Sequence, residues 1–517
     1  MVKLRPAQPM PLTNLYPMKK ISTLLLLFFI YTCANAQIFG PGHHIIAYST
    51  HAVDTTYARP HNKATSLIHK GGDTLIAYIN RAKYTIDIAL YDYVEDSLWY
   101  EGGYVPPIHT AINNAYARGV KIRWLSNPTD SSAGFVNSIT PNYGLALINK
   151  SIHTFARTDT KGIMHNKFMV IDGRSTNPSA PIVWTGCMNW EPGQIDKDIN
   201  NIIIFQDSAL AHAYLNEFNQ MWGDTVEGGA ANSTKAVFGA NKKNVNKKHG
   251  FTIDGHLVEA WFSPQSDDST SNHIVSVQKL AKTEIDFEMF TFTYTTDDAQ
   301  MITANKAGIK LYGIMDKSSI TYSPYTALSA QMGANLLVYK GLPGYDSNGI
   351  CHSKYMLIDP CDMAADPIVF TGSHNWSASA EDNNDENTVI VHDSSIANQY
   401  YQAFHADFYA VSAAAGAGIT LTQTCTSKPL EVTEIRNADQ VTLYPNPANN
   451  NLKVILNTQS TDAMYTIYNI AGQMLLSGKL SASYINTIDL SNIASGMYLI
   501  RVTNNTKEEF IGKFVKQ

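Results

Sequence analysis

Lys161–Asp172 reads KGIMHNKFMVID, and Asn348–Asp359 reads NGICHSKYMLID. Seven of the twelve aligned positions are identical, with His165 in one copy answering His352 in the other. The likeness runs outward in both directions. Ala82–Tyr91 (AKYTIDIALY) parallels Ala281–Phe290 (AKTEIDFEMF), and Ala117–Leu125 (ARGVKIRWL) parallels Lys306–Ile314 (KAGIKLYGI). Downstream, Thr185–Trp190 (TGCMNW) matches Thr371–Trp376 (TGSHNW). Asn200-Asn201 then matches Glu386-Asn387, each followed by an apolar run. These downstream matches keep one constant offset, the same from Asn189 to Asn375 as from Asn201 to Asn387. Chance similarity would not hold register over so many elements. The body of the chain is therefore one unit used twice.

Each copy alternates two patterns. Short β-branched or apolar runs at Thr85–Tyr91, Lys121–Leu125, Lys167–Ile171 and Ile199–Phe205 read as buried strands. Stretches with spaced apolar residues at Gly72–Ala82, Ile108–Arg118 and Ala209–Trp222 read as helices. The pattern predicts two α/β halves, each with a mostly parallel or mixed sheet, related by a pseudo-twofold axis. The first half is expected over 37–226 and the second over 251–425. Residues 227–250, rich in Gly, Ala, Asn and Lys, join them. After a second linker at 426–440 the character changes. Short strands at Asn451–Leu456, Met464–Tyr468, Met497–Val502 and Glu509–Val515, separated by turn residues, predict a small all-β sandwich over 441–517.

At the N-terminus, Lys19-Lys20 precede the apolar run Leu24–Ile30 and then Ala34-Asn35-Ala36. That is the layout of a secretory signal over residues 1–36, with Met18 as an alternative start. The run is far shorter than the ~20 residues a membrane span needs. The expected location is outside the cell or on its outer surface. A net charge of −6 and a charged share of only 16% give no global pull toward nucleic acid or anionic lipid. Removal of the signal leaves Cys187, Cys351, Cys361 and Cys425. Cys351 and Cys361 bracket a predicted strand and are poor partners, because ten extended residues span roughly 33 Å. Cys361 with Cys425, or four free thiols, both stay open.

Lone histidines such as His43, His44, His51, His61, His69 and His256 carry no pattern. His165 and His352 differ, since each has a lysine two positions on, at Lys167 and Lys354. Residues i and i+2 of a strand share a face. Bringing the halves together would place two imidazoles and two ammonium groups in one cleft. Such a cleft suits a phosphodiester. The lysines neutralise its non-bridging oxygens, one histidine attacks phosphorus, and the other protonates the leaving alcohol and then activates water. Asn189 and Asn375 are expected to bind phosphate oxygens, helped by Ser373. No metal or other cofactor is called for.

At these residues the chain resembles the phospholipase D superfamily. His165-Asn166-Lys167 with Asp172, His352-Ser353-Lys354 with Asp359, and the Gly-x-x-Asn elements Gly186–Asn189 and Gly372–Asn375 fit its duplicated signature. The resemblance implies that Asp172 and Asp359 are structural. It also implies an acidic residue behind each histidine, roughly where Asn200 and Glu386 stand. Glu386 fits and Asn200 departs. From this the sequence predicts that Glu386 backs a protonated His352 as general acid, leaving His165 as nucleophile. Asp196 or Asp198 could instead supply the missing carboxylate.

The superfamily signature specifies the bond, not the molecule that carries it. Abundant aromatics, with Tyr91, Tyr93, Phe290, Phe292 and Tyr294 near the cleft mouth, lean toward a phospholipid. The basic run Lys242–Lys248 keeps nucleic acid open as an alternative. A third reading is an inactive surface-binding or adhesion protein. The C-terminal stretch, with YPNPANNNLKV, IYNIAGQ, IDLSNIASGMYLIRV and KFVK, resembles the sorting domain of type IX secretion cargo. That implies an address read by the secretion machinery, against an adhesive or carbohydrate-binding sandwich. A monomer is expected.

Overall fold

The computed structural model describes residues 39, 43–60, 62–94, 107–128, 143–265, 269–342, 348–362, 365–419, 421, 425, 441–456, 463–469, 473–481, 485–503 and 509–517. The expected signal segment and the 426–440 linker lie outside these residues. The chain divides into two units, Met1–Cys425 and Thr426–Gln517.

The larger unit holds two eight-stranded sheets. The first is built from β1 (Ile45–Ser49), β2 (Thr65–Ser66), β3 (Thr85–Leu90), β4 (Lys121–Ser126), β5 (His153–Ala156), β6 (Lys167–Ile171), β7 (Ile182–Gly186) and β8 (Asn201–Phe205), in the spatial order β2-β1-β8-β7-β6-β3-β4-β5. The second comprises β9 (Gly250–Ile253), β10 (His256–Ser263), β11 (Glu284–Met289), β12 (Lys310–Asp316), β13 (Leu336–Tyr339), β14 (Lys354–Ile358), β15 (Ile368–Gly372) and β16 (Glu386–Val391), in the order β13-β12-β11-β14-β15-β16-β10-β9. Both sheets are mixed. β3, β4 and β5 run parallel, while β6, β7 and β8 are joined antiparallel, and β11 to β16 repeat the scheme.

Strand periodicity sorts the core. In β6, Phe168 and Val170 face one cluster, while Met169 and Ile171 face another. β14 repeats this with Tyr355 and Leu357 against Met356 and Ile358. The outer face of the first sheet is covered by α1 (Gly71–Arg81) and α2 (Ile108–Ala117). Between them and α4 (Ser208–Trp222) comes the short α3 (Pro192–Asp196). The outer face of the second sheet is covered by α5 (Thr270–Gln278), α6 (Thr295–Lys306) and α7 (Ser323–Met332). The inner faces of both sheets share a single core with α4 and, beyond the short α8 (Ala378–Asp382), α9 (Ser394–Ala414). Two α/β halves thus close on a common helical layer.

Within 227–250 one lysine turns inward while Lys243, Lys247 and Lys248 stay exposed. Lys242, taken above as part of a basic run, is fully buried. Its Nζ bonds Glu217 at 2.5 Å, the Ser263 carbonyl at 2.8 Å and Asp385 at 3.3 Å. Burial alone would discharge the lysine, but Glu217 and Asp385 outweigh it and raise its pKa. Asp385 also accepts from Arg157 at 3.0 Å and from the Gly239 backbone at 2.8 Å. Removing one member of such a buried set strands the others. Lys242→Ala is therefore expected to cost about 3–5 kcal/mol, seen as a lowered thermal midpoint.

Cys361 is bonded to Cys425, while Cys187 and Cys351 are buried free thiols. The smaller unit has β17 (Val441–Tyr444), β18 (Asn451–Leu456), β19 (Met464–Asn469), β20 (Met474–Lys479), β21 (Ile485–Asp489), β22 (Gly496–Thr503) and β23 (Glu509–Lys516). They form two antiparallel sheets, β17-β18-β21 and β20-β19-β22-β23, around a core that includes Leu452, Val454, Ile467, Ile500 and Phe514.

Candidate active site

The two duplicated motifs lead into a central strand of each sheet, β6 and β14, and meet across the pseudo-dyad. His165 N–H donates to the Asp385 carbonyl at 3.0 Å, and Asp385 N–H donates back to the Ile163 carbonyl at 2.9 Å. The mirror contacts are His352 N–H to the Ile199 carbonyl and Ile199 N–H to the Ile350 carbonyl, both 3.0 Å. The exchange continues two residues on, at Asn387 and Asn201. Asn387 donates to Thr185 Oγ1 at 2.7 Å, and Asn201 accepts from Thr371 at 2.8 Å. Each half therefore completes the other.

That crossing corrects the sequence-based pairing. Glu386 does not back His352. Both of its oxygens lie 2.8 Å from Nδ1 of His165, in the other half. Asn200 Oδ1 lies 2.9 Å from Nδ1 of His352. The reason is topological: β8 and β16 begin where the opposite motif enters, so the residue heading each strand reaches the partner histidine. Neither alternative carboxylate substitutes for Asn200. Asp196 pairs with His69, and Asp198 accepts the Ile350 backbone N–H at 3.0 Å.

Ser373 is also corrected. Its hydroxyl donates to Glu386 Oε2 at 2.6 Å, so it braces the carboxylate. Sequence reasoning overlooked its mirror, Cys187, whose Sγ lies 3.2 Å from Asn200 Oδ1. The TGCMNW/TGSHNW alignment already held that correspondence. Gly186 and Gly372 precede these residues at φ 137° and 150°. A Cβ there would stand 2.3 Å from the Asn201 carbonyl and 2.2 Å from that of Asn387. Only glycine lets β7 and β15 turn into the site.

The lysines are placed alike. Each Nζ donates to the carbonyl of its own histidine at 2.7 Å. Lys167 stands 5.0 Å from the Tyr91 ring centroid and Lys354 4.9 Å from that of Phe290. The same rings flank the imidazoles, Tyr91 at 5.1 Å from His165 and Phe290 at 4.9 Å from His352. Tyr93 and Phe292, by contrast, are buried in the two outer cores, and Tyr294 sits at the start of α6. Asp172 and Asp359 act as anchors. Each takes a left-handed backbone, φ 51° and 48°. Each carboxylate collects three successive backbone N–H groups, Lys83–Thr85 for Asp172 and Lys282–Glu284 for Asp359. Asn189 keeps a buried Oδ1 without a protein partner, as does Asn375, and the Asn189 backbone is fixed by Gln194 at 2.8 Å.

Burial governs the charges. It lowers His165 to about 4 despite the opposing pull of Glu386. His352 falls well below its ordinary value through burial and the charges of Lys354, Lys167 and His165. Lys167 is brought down to about 7 and Lys354 to about 8, both chiefly by burial. Burial favours a neutral Glu386, but His165 and Lys167 prevail and hold it at about 2. The site is thus two neutral imidazoles, one carboxylate and two ammonium groups that lose protons easily, arranged to receive an anion.

Residues 75–222 and 274–408 match the family model described as cardiolipin synthase, phospholipase D-like domain. The chain belongs to the phospholipase D superfamily. Residues 442–517 match the secretion system C-terminal sorting domain. Among curated proteins, the mitochondrial cardiolipin hydrolase of Xenopus tropicalis is 30% identical over 118 residues, 23% of this chain and 49% of that one. A phospholipase D of Rickettsia conorii is 33% identical over 108 residues, 21% of this chain and 47% of that one. The chain thus spans about half the length of these curated relatives. Among solved structures, phosphatidylserine synthase of Haemophilus influenzae aligns with TM-score 0.47 and 11% identity, covering 70% of this chain and 84% of that one.

Proposed function

We propose that this phospholipase D-superfamily phosphodiesterase is exported and cleaves the headgroup ester of a phospholipid through a phosphohistidine on His165. The observation that supports it most is the crossed pairing, Glu386 on His165 and Asn200 on His352. With Nδ1–H held by the carboxylate, Nε2 of His165 keeps its lone pair for phosphorus, and Glu386 stabilises the positive charge that phosphorylation creates on the ring. In the first step the N–P bond forms, the bond from phosphorus to the leaving oxygen breaks, and His352 gives that oxygen a proton. In the second, water gives a proton to His352 as it attacks phosphorus, and the N–P electron pair returns to His165. Lys167 and Lys354 carry the charge of the non-bridging oxygens, and Asn189 and Asn375 stand by to bind them.

A lipid is favoured over a nucleic acid because Lys242 leaves the basic run for the interior. The relatives named for cardiolipin and phospholipid hydrolysis lend the same direction. Phosphatidylcholine micelles and single-stranded DNA, offered in parallel with EDTA, test the reading. Choline release with intact DNA is expected. DNA cleavage without choline release would make the protein a nuclease. Turnover of neither would leave a binding protein, and loss of turnover on chelation would contradict side-chain-only chemistry.

The lowered lysines set a pH dependence. As pH rises through about 7 and then 8, Lys167 and Lys354 lose their charge in the free protein, and a neutral His352 is already short of the proton it must donate. All of these act in one direction, so kcat/KM is expected to be highest on the acid side of neutrality and to fall above it, measured across pH 4–9 at constant ionic strength.

A further inference from the structure

The two histidine supports have the same layout but different chemistry. In one, Ser373 donates to Glu386, which takes Nδ1 of His165. In the other, Cys187 donates to Asn200, which takes Nδ1 of His352. The Asn200 amide cannot turn over. Its Nδ2 donates to the Gln194 carbonyl at 3.0 Å, its Oδ1 receives both the thiol and His352, and the side chain is 1% exposed. His352 must therefore present Nδ1–H to Asn200 and a bare Nε2 to the cleft.

We propose that Asn200, fixed by Cys187, is a positioning residue that divides proton handling between the two histidines, so that protonation of the departing alcohol and not attack of water limits turnover. This rests on the phosphodiesterase reading above. A carboxylate behind an imidazole favours its protonated or phosphorylated form, and a neutral amide favours neither. The charged groups acting most on His352 are Lys354 and Lys167, and both oppose a proton there, against a smaller opposite pull from the Cys187 backbone. Before the first step His352 Nε2 must take a proton from solvent and then pass it to the leaving oxygen. In the second step it must be neutral to accept a proton from water, and that is its resting form. The amide hinders the first step and suits the second. A carboxylate at the same place would reverse the order.

The test compares wild type and Asn200→Asp on phosphatidylcholine micelles. It reads kcat/KM against pH and, by rapid quench, the share of protein carrying the phosphatidyl group on histidine. Asn200→Asp is expected to move the alkaline limb up by about one pH unit or more and to raise that share several-fold. An unmoved limb in folded Asn200→Asp would overturn the proposal. Nitrogen NMR of the wild-type histidines needs neither variant nor turnover. A neutral, Nδ1-protonated His352 at neutral pH is expected, and an imidazolium there would also overturn it. A folded wild type that turns over no phosphodiester, yet shows that tautomer, would fault the phosphodiesterase reading instead.

Discussion

His165→Ala is expected to lower turnover by about 10⁴-fold or more while the protein keeps its fold, because the nucleophile has no substitute in the cleft. His352 cannot take over the attack with equal effect, since Asn200 gives it no carboxylate to stabilise a phosphorylated ring. The fold should tolerate the change. The strand contacts of this segment are made by backbone, through His165 N–H to the Asp385 carbonyl and through β6 on β3. Circular dichroism and the thermal midpoint would check the fold, and product release would check the rate. Turnover within a few fold of wild type in a folded variant would refute the role.

Glu386→Gln should come second, with kcat lowered by about 10³–10⁴-fold, the scale seen when a buried carboxylate behind a catalytic imidazole becomes an amide. Here the reason is tautomeric. Ser373 and Asn384 both donate toward Glu386, at 2.6 and 3.3 Å, and His165 donates as well. A glutamine would turn an N–H toward one of these donors. If that donor is His165, Nδ1 must become the acceptor, the proton moves to Nε2 and the lone pair is lost. Steady-state kinetics with the pH profile would show it as a fall in kcat that no pH restores.

Much of this was legible in the sequence. The repeat, the strand parity of β6 and β14 and the two His-Lys pairs all follow from residue spacing, because a strand face repeats every second residue and a helical face does not. The structural role of Asp172 and Asp359, implied by resemblance, has its physical cause in the three backbone N–H groups each collects. What stayed hidden was which half supplies which partner. Glu386 lies in the same half as His352 but bonds His165, far earlier in the chain. Proximity along the chain points to the wrong histidine, and only the sheet order reveals the exchange. Ser373 looked like a phosphate ligand because its hydroxyl can serve either partner, and burial decides for Glu386. Lys242 read as part of a basic run because its counter-charges lie outside its own segment, Glu217 on α4 and Asp385 in the other half, just ahead of β16.

On the proposed mechanism two half-sites make one, with phosphorus passing to His165 while His352 serves protons. Acid-free quenching during turnover, followed by peptide mapping of the modified residue, tests this. A phosphatidyl adduct on the peptide bearing residue 165, absent from that bearing 352 and lost in Glu386→Gln, is the expected result. An adduct on His352, or steady turnover with neither histidine ever modified, would contradict it.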